Sequence, residues 1–274
     1  MRTKAEISIT VISAFRFNTE LIMIMLNDNE RLDKVNDGIT IIQRTDGLTY
    51  GTDALLLASY INTKNKKCIE LGTGTGIISL LMLQRSKASR IHGIEIQEDF
   101  ATLTKRNAAI NSFDTQLTVI NKDVRDVTQS DVDGEADIIF TNPPYMKNGA
   151  GLSSATDEKN IARREIFGSI FDFCQAAKKL LKFGGKFYCV YRPDRLAELI
   201  YSLKSNSLEP KRMTFIHPHV DSAPSLVLVE ARRGGGEELN ITRPLIMYTD
   251  ATHTDYTEDM AYIYNNGNFP SKRY

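Results

Sequence analysis

The apolar residues from about residue 67 onward fall into short runs separated by longer amphipathic segments. Short apolar runs that end in Gly, Asp, Asn or Pro are typical of buried strands, whereas apolar residues at helical spacing are typical of helices. The predicted strands are 68–71, 90–95, 117–121, 136–140 and 186–191. The predicted helices are 77–84, 98–111, 161–181 (closed by Phe183-Gly184-Gly185) and 192–204.

This alternation predicts an α/β fold with a doubly wound, seven-stranded, mostly parallel sheet. Two further β-rich runs, 212–217 and 225–231, are separated by a loop that contains proline. We interpret them as an antiparallel last hairpin at the edge of the sheet. This hairpin distinguishes the prediction from an ordinary dinucleotide-binding fold.

The first residues are patterned differently. Apolar runs at 7–15 and 21–26 are interrupted by Arg16 and Glu20, and each run is too short to span a bilayer. We interpret residues 1–24 as an N-terminal extension, either poorly ordered or packed as an added helix.

Residues 25–60 are interpreted as a lid segment ahead of the main fold. The pattern predicts a short helix at 30–35, a strand at 39–43, and a helix at 54–58 that is capped by Thr52 or Asp53. Residues 61–233 form the main predicted domain, and 234–274 form a C-terminal tail with one possible strand at 245–248.

Composition is ordinary for a globular protein: 274 residues, 42% hydrophobic and 25% charged. The formal net charge is zero, so any surface for nucleic acid must be a local patch. Cys68, Cys174 and Cys189 are far apart and form no C-x-x-C motif. Reduced thiols in the cytoplasm therefore fit better than a disulfide framework or a zinc site.

The predicted strand 136–140 ends in Thr141-Asn142-Pro143-Pro144-Tyr145. Prolines cannot donate to a sheet ladder, so the strand ends there, at the edge where open α/β sheets bind ligands. The Asn142 amide oxygen and the Pro143 carbonyl can accept both hydrogens of one amino group, and Tyr145 can stack on the ring that carries it. The alternative interpretation is a Pro-Pro turn with a surface tyrosine.

A glycine-rich turn, Glu70-x-Gly72-x-Gly74-x-Gly76, follows the first strand of the main domain. Glycines let the backbone approach a ligand closely. The spacing differs from G-x-G-x-x-G, and the turn lacks the Gly-Lys-Ser/Thr of a phosphate loop. It therefore suits an adenosine ligand with an amino-acid tail, and the alternative is a tight turn without a ligand.

Two acids follow the next two strands. Glu95 ends the second strand, where a carboxylate can accept hydrogen bonds from ribose hydroxyls. Asp123 follows the third strand and could accept from an adenine amino group. The alternatives are a surface glutamate and a helix cap for Arg125-Asp126.

In this order, the glycine-rich turn, Glu95, Asp123 and Asn142-Pro143-Pro144-Tyr145 resemble the motifs of class I S-adenosylmethionine (SAM)-dependent methyltransferases that modify amino nitrogens. Four further segments resemble the bacterial tRNA adenine-N6 methyltransferases, which act on the adenosine at position 37 of a valine tRNA. These segments are 30–33, 52–58, 161–165 and 192–196. The resemblance covers about residues 26–248.

The resemblance implies a Rossmann-like methyltransferase fold and SAM as the cofactor. By the same resemblance, the three glycines after Glu70 flank the methionine part, Glu95 holds the ribose and Asp123 holds the adenine. The segment expected to close over the methionine end contains Tyr50 and Asp53. Glu70 and Asn142 are further expected cofactor contacts.

The resemblance also implies that Asn142 and the Pro143 carbonyl hold the target N6 amino group, with Tyr145 stacked on its base. The partner is the anticodon loop of tRNA, and the protein is expected to be a cytoplasmic monomer without metal. The basic residues expected to contact RNA are Lys147, Arg163, Arg164, Arg192 and Arg195. For any one arginine, the alternative is a solvated charge or a local ion pair.

Three other functions remain open. The same motif can methylate a glutamine side-chain amide in a protein such as a release factor, because that target is also a planar amino group. A guanine-N2 or DNA-adenine methyltransferase is a second possibility, and a SAM-binding RNA-binding module without turnover is a third. An NAD dehydrogenase is disfavoured by the glycine spacing.

Overall fold

Two antiparallel β-hairpins form the N-terminal part of the protein in the computed structural model, which describes residues 9–17, 20–45, 50–143 and 167–271. Strand β1 (Ile9–Phe17) pairs with β2 (Glu20–Asn27), and β3 (Glu30–Asn36) pairs with β4 (Ile39–Arg44). The main sheet follows these hairpins in the chain.

For residues 1–24, the alternative of an added helix is excluded, because their described part forms strands. The prediction of a short helix at 30–35 is wrong, because this segment is a strand. Asp37 and Gly38 form a two-residue turn that folds β3 back onto the apolar strand β4. Pairing across this turn outweighs the local helical preference of β3.

The main sheet contains nine strands in the described part of the chain. In order along the chain, the sheet and helix segments are α1 (Thr52–Tyr60), β5 (Lys66–Leu71), α2 (Ile77–Gln84), β6 (Ala88–Glu95), α3 (Glu98–Ile110), β7 (Leu117–Asn121), β8 (Ala136–Thr141), α4 (Ile170–Leu180), β9 (Leu181–Tyr191), α5 (Leu196–Ser205), β10 (Leu208–His217), β11 (Leu226–Arg233), β12 (Asn240–Ile241), β13 (Leu245–Ile246) and α6 (Glu258–Asn266).

The strand order is β12-β10-β11-β9-β8-β5-β6-β7, with β13 also paired to β10. The pairs from β9 through β7 are parallel, whereas β11 runs antiparallel to both of its neighbours. The predicted fold is confirmed: seven long strands form a mostly parallel sheet with a last antiparallel hairpin. The two-residue strands β12 and β13 extend its edge.

Helices cover both faces of the sheet, as the side chains of one central strand show. Along β8, Ile138 and Phe140 face the apolar cluster that contains α1 and α2, whereas Ile139 faces the cluster that contains α4 and α5. Phe140 and Ile139 are both fully buried. Each such side chain stabilises the fold by about 1.5–3 kcal/mol through the hydrophobic effect.

The predicted helix 161–181 ends earlier than expected, and its residues 161–166 lie outside the described residues. Leu181 has an extended backbone (ψ 145°) and begins β9, so Gly184 and Gly185 lie within a strand rather than after a helix. The pairing with β8 shifts between Leu181 and Lys186, which accommodates these glycines as a bulge.

The C-terminal residues pack onto the main domain. Strand β13 lies within the predicted strand at 245–248, but α6 was not predicted. Thr257 caps this helix by accepting a hydrogen bond from the Met260 amide. Met260 and Ile263 are fully buried in the cluster that contains α1, so one face of a short helix completes that core.

Two buried asparagines, one on α3 and one directly after it, attach β4 to the main domain. The Asn107 and Asn111 side chains accept hydrogen bonds from the Ile42 and Thr40 amides at 2.7 Å and 3.0 Å, and donate back to the carbonyls of the same two residues. The backbone N–H and C=O groups of Thr40 and Ile42 therefore have side-chain hydrogen-bond partners in place of those that another strand would supply.

A buried lysine caps the carboxyl end of α1. Lys87 Nζ donates to the carbonyl oxygens of Ala58, Ser59 and Ile61 at 2.7 Å, 3.2 Å and 2.7 Å. Burial, together with the nearby positive charges of two arginines, lowers the pKa of Lys87 to about 7. These bonds satisfy carbonyls that a helix end leaves unpaired.

The Lys87→Met substitution should lower the free energy of unfolding by on the order of 3 kcal/mol, because it leaves buried carbonyls without donors. Urea denaturation measures the difference. Lys64→Met, at an exposed position, is the matched control and should change stability little. Equal denaturation midpoints for the two variants would show that the cap is not important for stability.

Candidate active site

The residues predicted to bind the cofactor and the target amino group lie together at the carboxyl ends of β5, β6 and β8. The Gly74 amide, in the turn after β5, donates to Glu95 Oε2 at the end of β6 over 2.9 Å. On the other side of β5, Thr141 Oγ1 donates to the Leu71 carbonyl over 2.7 Å. Asn142 directly follows this threonine, so the structure brings the glycine-rich turn, the acid and the asparagine to one edge of the sheet.

The glycine-rich turn has left-handed backbone conformations at each of its three glycines. The φ angle is 72° at Gly72, 56° at Gly74 and 82° at Gly76. A Cβ atom at Gly76 would also lie 2.7 Å from Thr104 Cγ2, so this position requires glycine. By contrast, a Cβ at Gly74 would meet no atom within 4 Å. Open space lies beside the turn at that position, and a ligand can approach its backbone there.

Glu70 lies beneath this turn. Its carboxylate accepts hydrogen bonds from Thr73 Oγ1 at 2.7 Å and from Ser79 Oγ, and the residue is 1% exposed. Burial raises the pKa of Glu70 to about 7, against the opposing effect of the two hydroxyl donors. Glu70 thus connects the turn to the start of α2 and supports the turn from below.

Glu95 is oriented by two backbone amides. Its Oε2 accepts from Gly74 and its Oε1 accepts from Gln97 at 3.0 Å, and the side chain is buried. Each carboxylate oxygen has a second lone pair. The residue is therefore fixed in position and retains acceptor capacity for ribose hydroxyls.

Asp123 lies after β7 and is paired with Arg125. Arg125 Nε lies 3.0 Å from each carboxylate oxygen, and the Arg125 amide donates to Oδ1 at 2.8 Å. The hydrogen bonds from the arginine side chain hold the pKa of Asp123 below its usual value. The carboxylate therefore caps a turn at 124–126 rather than the helix considered from the sequence. The same ionised carboxylate is also a suitable acceptor for an adenine amino group.

Asp53 and Asn142 are in direct contact. Asn142 Nδ2 donates to Asp53 Oδ2 at 2.9 Å, and Asp53 Oδ1 accepts from the Ala54 amide at 2.9 Å. The predicted cap of α1 is wrong, because its N-cap is Gly51 and no side chain caps it. Asp53 is instead in the first turn of the helix. The contact between Asp53 and Asn142 was not predicted from the sequence.

Tyr50 precedes α1 in the segment predicted to close over the cofactor. Its amide donates to Gln43 Oε1 at 2.9 Å, and its side chain packs against the cluster that contains α1. Burial, with smaller effects from Asp33 and Tyr264, raises the pKa of the Tyr50 hydroxyl.

The two described arginines from the RNA-contact prediction are in local ion pairs. Arg192 Nη2 lies 2.8 Å from Asp194 Oδ2, and Arg195 pairs with Glu198 and lies over the Tyr191 ring at 5.9 Å. Lys147, Arg163, Arg164 and Tyr145 lie outside the described residues. The three cysteines are buried free thiols. Over the described ranges, no group of three or more His, Cys, Asp or Glu side chains is arranged to hold a metal ion.

Each of the described helices is too short or too polar to span a lipid bilayer.

The sheet order, the glycine-rich turn and the acid at the end of β6 together define a methyltransferase of the SAM-dependent, Rossmann-like class. The family model for the methyltransferase small domain matches residues 44–204. The chain belongs to this family, and its cofactor is SAM. The resemblance identified from the sequence motifs is confirmed.

Curated relatives carry a more specific name. A Porphyromonas gingivalis protein is 28% identical over 189 residues, covering 66% of this chain and 73% of the relative. A Parabacteroides distasonis protein is 29% identical over 181 residues, covering 66% and 75%. Both are named tRNA1(Val) (adenine(37)-N6)-methyltransferase.

Solved structures share the fold. A predicted O-methyltransferase from Agrobacterium tumefaciens aligns with a TM-score of 0.64 and 22% identity, covering 80% of this chain and 98% of that chain. M. jannaschii TYW2 in complex with AdoMet aligns with a TM-score of 0.51 and 15% identity, covering 77% and 89%.

The buried carboxyl of Glu70 should make stability depend on pH. Its pKa rises from 4.5 to about 7 on folding, so the native state binds more protons than the unfolded state between these values. Its contribution is therefore fully present below pH 4.5 and decreases as the pH rises through 7. The loss is on the order of 3 kcal/mol.

Glu70→Gln keeps an acceptor for Thr73 or Ser79 and removes the titration. The stability of the wild type relative to this variant should decrease between pH 4.5 and pH 7.5, as measured by urea denaturation at several pH values. A difference that is constant with pH would show that Glu70 does not titrate in this range.

Proposed function

We propose that this chain transfers the methyl group of SAM to the N6 amino group of an adenosine in tRNA, at position 37 of a valine tRNA. The observation that carries the proposal is the position of Asn142, which follows β8 directly beside the glycine-rich turn of β5. The names of the curated relatives support the same target.

The residues that would hold the cofactor are those at the carboxyl edge of β5, β6 and β7: Gly72, Gly74, Gly76, Glu95 and Asp123. Open space at Gly74 and the fixed carboxylate of Glu95 fit an adenosine with an amino-acid tail. When bound, SAM supplies an electrophilic methyl group on a sulfonium.

The remaining task of the protein is to orient the target nitrogen. The lone pair of an adenine amino group is delocalised into the ring. The Asn142 amide oxygen and the Pro143 carbonyl would each accept one hydrogen of this group, which favours a pyramidal nitrogen with an available lone pair. A proton can leave after methyl transfer, so no strong base is needed.

The base and the RNA backbone require further contacts. We assign base stacking to Tyr145 and phosphate contacts to Lys147, Arg163 and Arg164, which follow the catalytic motif along the chain. Arg192 and Arg195 would have to exchange their present carboxylate partners for phosphate. An adenosine in an anticodon loop is already accessible, so little unstacking is required.

An assay with labelled SAM and unmodified valine tRNA transcript tests the proposal. Digestion should yield N6-methyladenosine, and a transcript with guanosine in place of adenosine 37 should accept no label. Label in a release factor but not in tRNA would establish the glutamine-methylating alternative. Binding of SAM without transfer to any substrate would support a binding module.

Two substitutions should separate chemistry from cofactor binding. Asn142→Ala should lower kcat by roughly 10²–10³-fold with SAM affinity nearly unchanged, because it removes an acceptor for the reacting group. Glu95→Ala should weaken SAM binding roughly 10–100-fold, because it removes hydrogen bonds to a charged group. Calorimetric titration and single-turnover methylation measure the two effects. An equal loss of both quantities in Asn142→Ala would contradict its role.

A further inference from the structure

The contact between Asp53 and Asn142 joins two segments that are 89 residues apart in the chain. Asp53 is in the first turn of α1, whereas Asn142 follows β8 in the catalytic motif. Both side chains are half-buried. The contact therefore connects the N-terminal segment directly to the proposed methyl-acceptor site.

The chemistry of the two side chains allows only one arrangement of this contact. An ionised carboxylate accepts hydrogen bonds and donates none. The end of the Asn142 amide that faces Asp53 must therefore be its NH2 group, and the amide oxygen is turned away from Asp53. Without such a partner, the two ends of an amide have nearly the same shape and could exchange places.

The proposed reaction requires this orientation, because the target amino group presents hydrogens. It needs an acceptor at Asn142, and an NH2 group there would oppose it. We propose that Asp53 is a positioning residue that holds the Asn142 amide with its oxygen toward the target nitrogen. This inference rests on the proposed function, and it gives Asp53 a different task from the cofactor contact expected from the sequence.

Asp53 is itself well fixed for this task. Its other oxygen accepts from the Ala54 amide, at the helix end where a negative charge is favourable. Ala54 and Leu57 anchor α1 in the core, and Lys87 holds the opposite end of the helix. The carboxylate is thus held by a rigid element rather than by a loop.

Substitutions at the two positions give a pattern that a merely structural role would not produce. In Asp53→Asn, the new side-chain oxygen remains available to the Ala54 amide, and its NH2 group then faces Asn142. The Asn142 amide should rotate and present its NH2 group to the substrate. We expect kcat to fall by about 100-fold. Asp53→Ala removes the acceptor for the Asn142 NH2 group without adding an opposing donor, and kcat should fall by only about 10-fold.

The exchanged pair provides a rescue. In the double variant Asp53→Asn with Asn142→Asp, the new amide at position 53 donates to one oxygen of the new carboxylate at position 142, and the other carboxylate oxygen accepts from the target amino group. The kcat of this variant should return to within about 10-fold of wild type. Asn142→Asp alone places two carboxylates in contact and should be poorly active.

The controls separate positioning from cofactor binding and from folding. SAM affinity by calorimetric titration should stay within about threefold of wild type in the Asp53 variants, and thermal melts should show folded protein. Asp114→Asn, at an exposed position in the turn between α3 and β7, is the matched control and should keep full activity. Parallel losses of SAM affinity and kcat/KM, with no rescue in the exchanged pair, would make Asp53 a cofactor ligand and overturn the proposal.

One measurement does not depend on tRNA methylation. With ¹⁵N-labelled asparagine, the Asn142 side-chain NH2 signal, assigned by its loss in Asn142→Ala, should exchange slowly with solvent in wild type and faster in Asp53→Ala. Unchanged exchange would overturn the inference. Absence of N6-methyladenosine with wild-type protein, or full activity of Asn142→Ala, would instead overturn the proposed function.

Discussion

The parallel pairing of β5 with β8 is the constraint on which the arrangement of the site depends. Glu70 is opposite Phe140 in this pair, so the two strands end at the same level. The hydrogen bond from Thr141 Oγ1 to the Leu71 carbonyl closes the pair at that edge. Because each strand is followed directly by a functional motif, this register places the glycine-rich turn beside Asn142. A shift of one residue would move every side chain of β8 to the other face.

Buried polar groups hold the surrounding segments on this framework. Asn107 shows the arrangement well, since its side chain bonds to Ile42 on β4 and also donates to the Thr75 carbonyl in the glycine-rich turn at 2.9 Å. Lys87 similarly fixes α1, which carries Asp53. Each group is buried and hydrogen-bonded. Removing one partner therefore leaves the other buried without a hydrogen bond, which lowers the stability of the fold. The N-terminal segment is therefore attached to the catalytic edge by specific bonds as well as by apolar packing.

In the described part of the candidate site, the polar side chains are hydrogen-bond acceptors held in place by neighbouring groups. Glu95 and Asn142 both have neighbours that fix their orientation before any ligand is bound. This is the arrangement that methyl transfer from a sulfonium requires, because the methyl group is already reactive and the protein contributes mainly geometry. The burial of Glu70 beneath the turn has the same effect, since it ties the turn to α2.

The sequence by itself determined the features that depend on a few neighbouring residues. The glycine spacing, the acid at the end of β6, and the strand that stops at two prolines are local signals. They were sufficient to predict the fold class, and they also supplied the candidate site residues. Only the tertiary structure decided which distant groups meet. The pairing of β3 with β4, the packing of α6, and the contact of Asp53 with Asn142 all depend on long-range partners. Local propensity is weak compared with burial and hydrogen bonding across the chain, and for that reason these features were not predictable from the sequence.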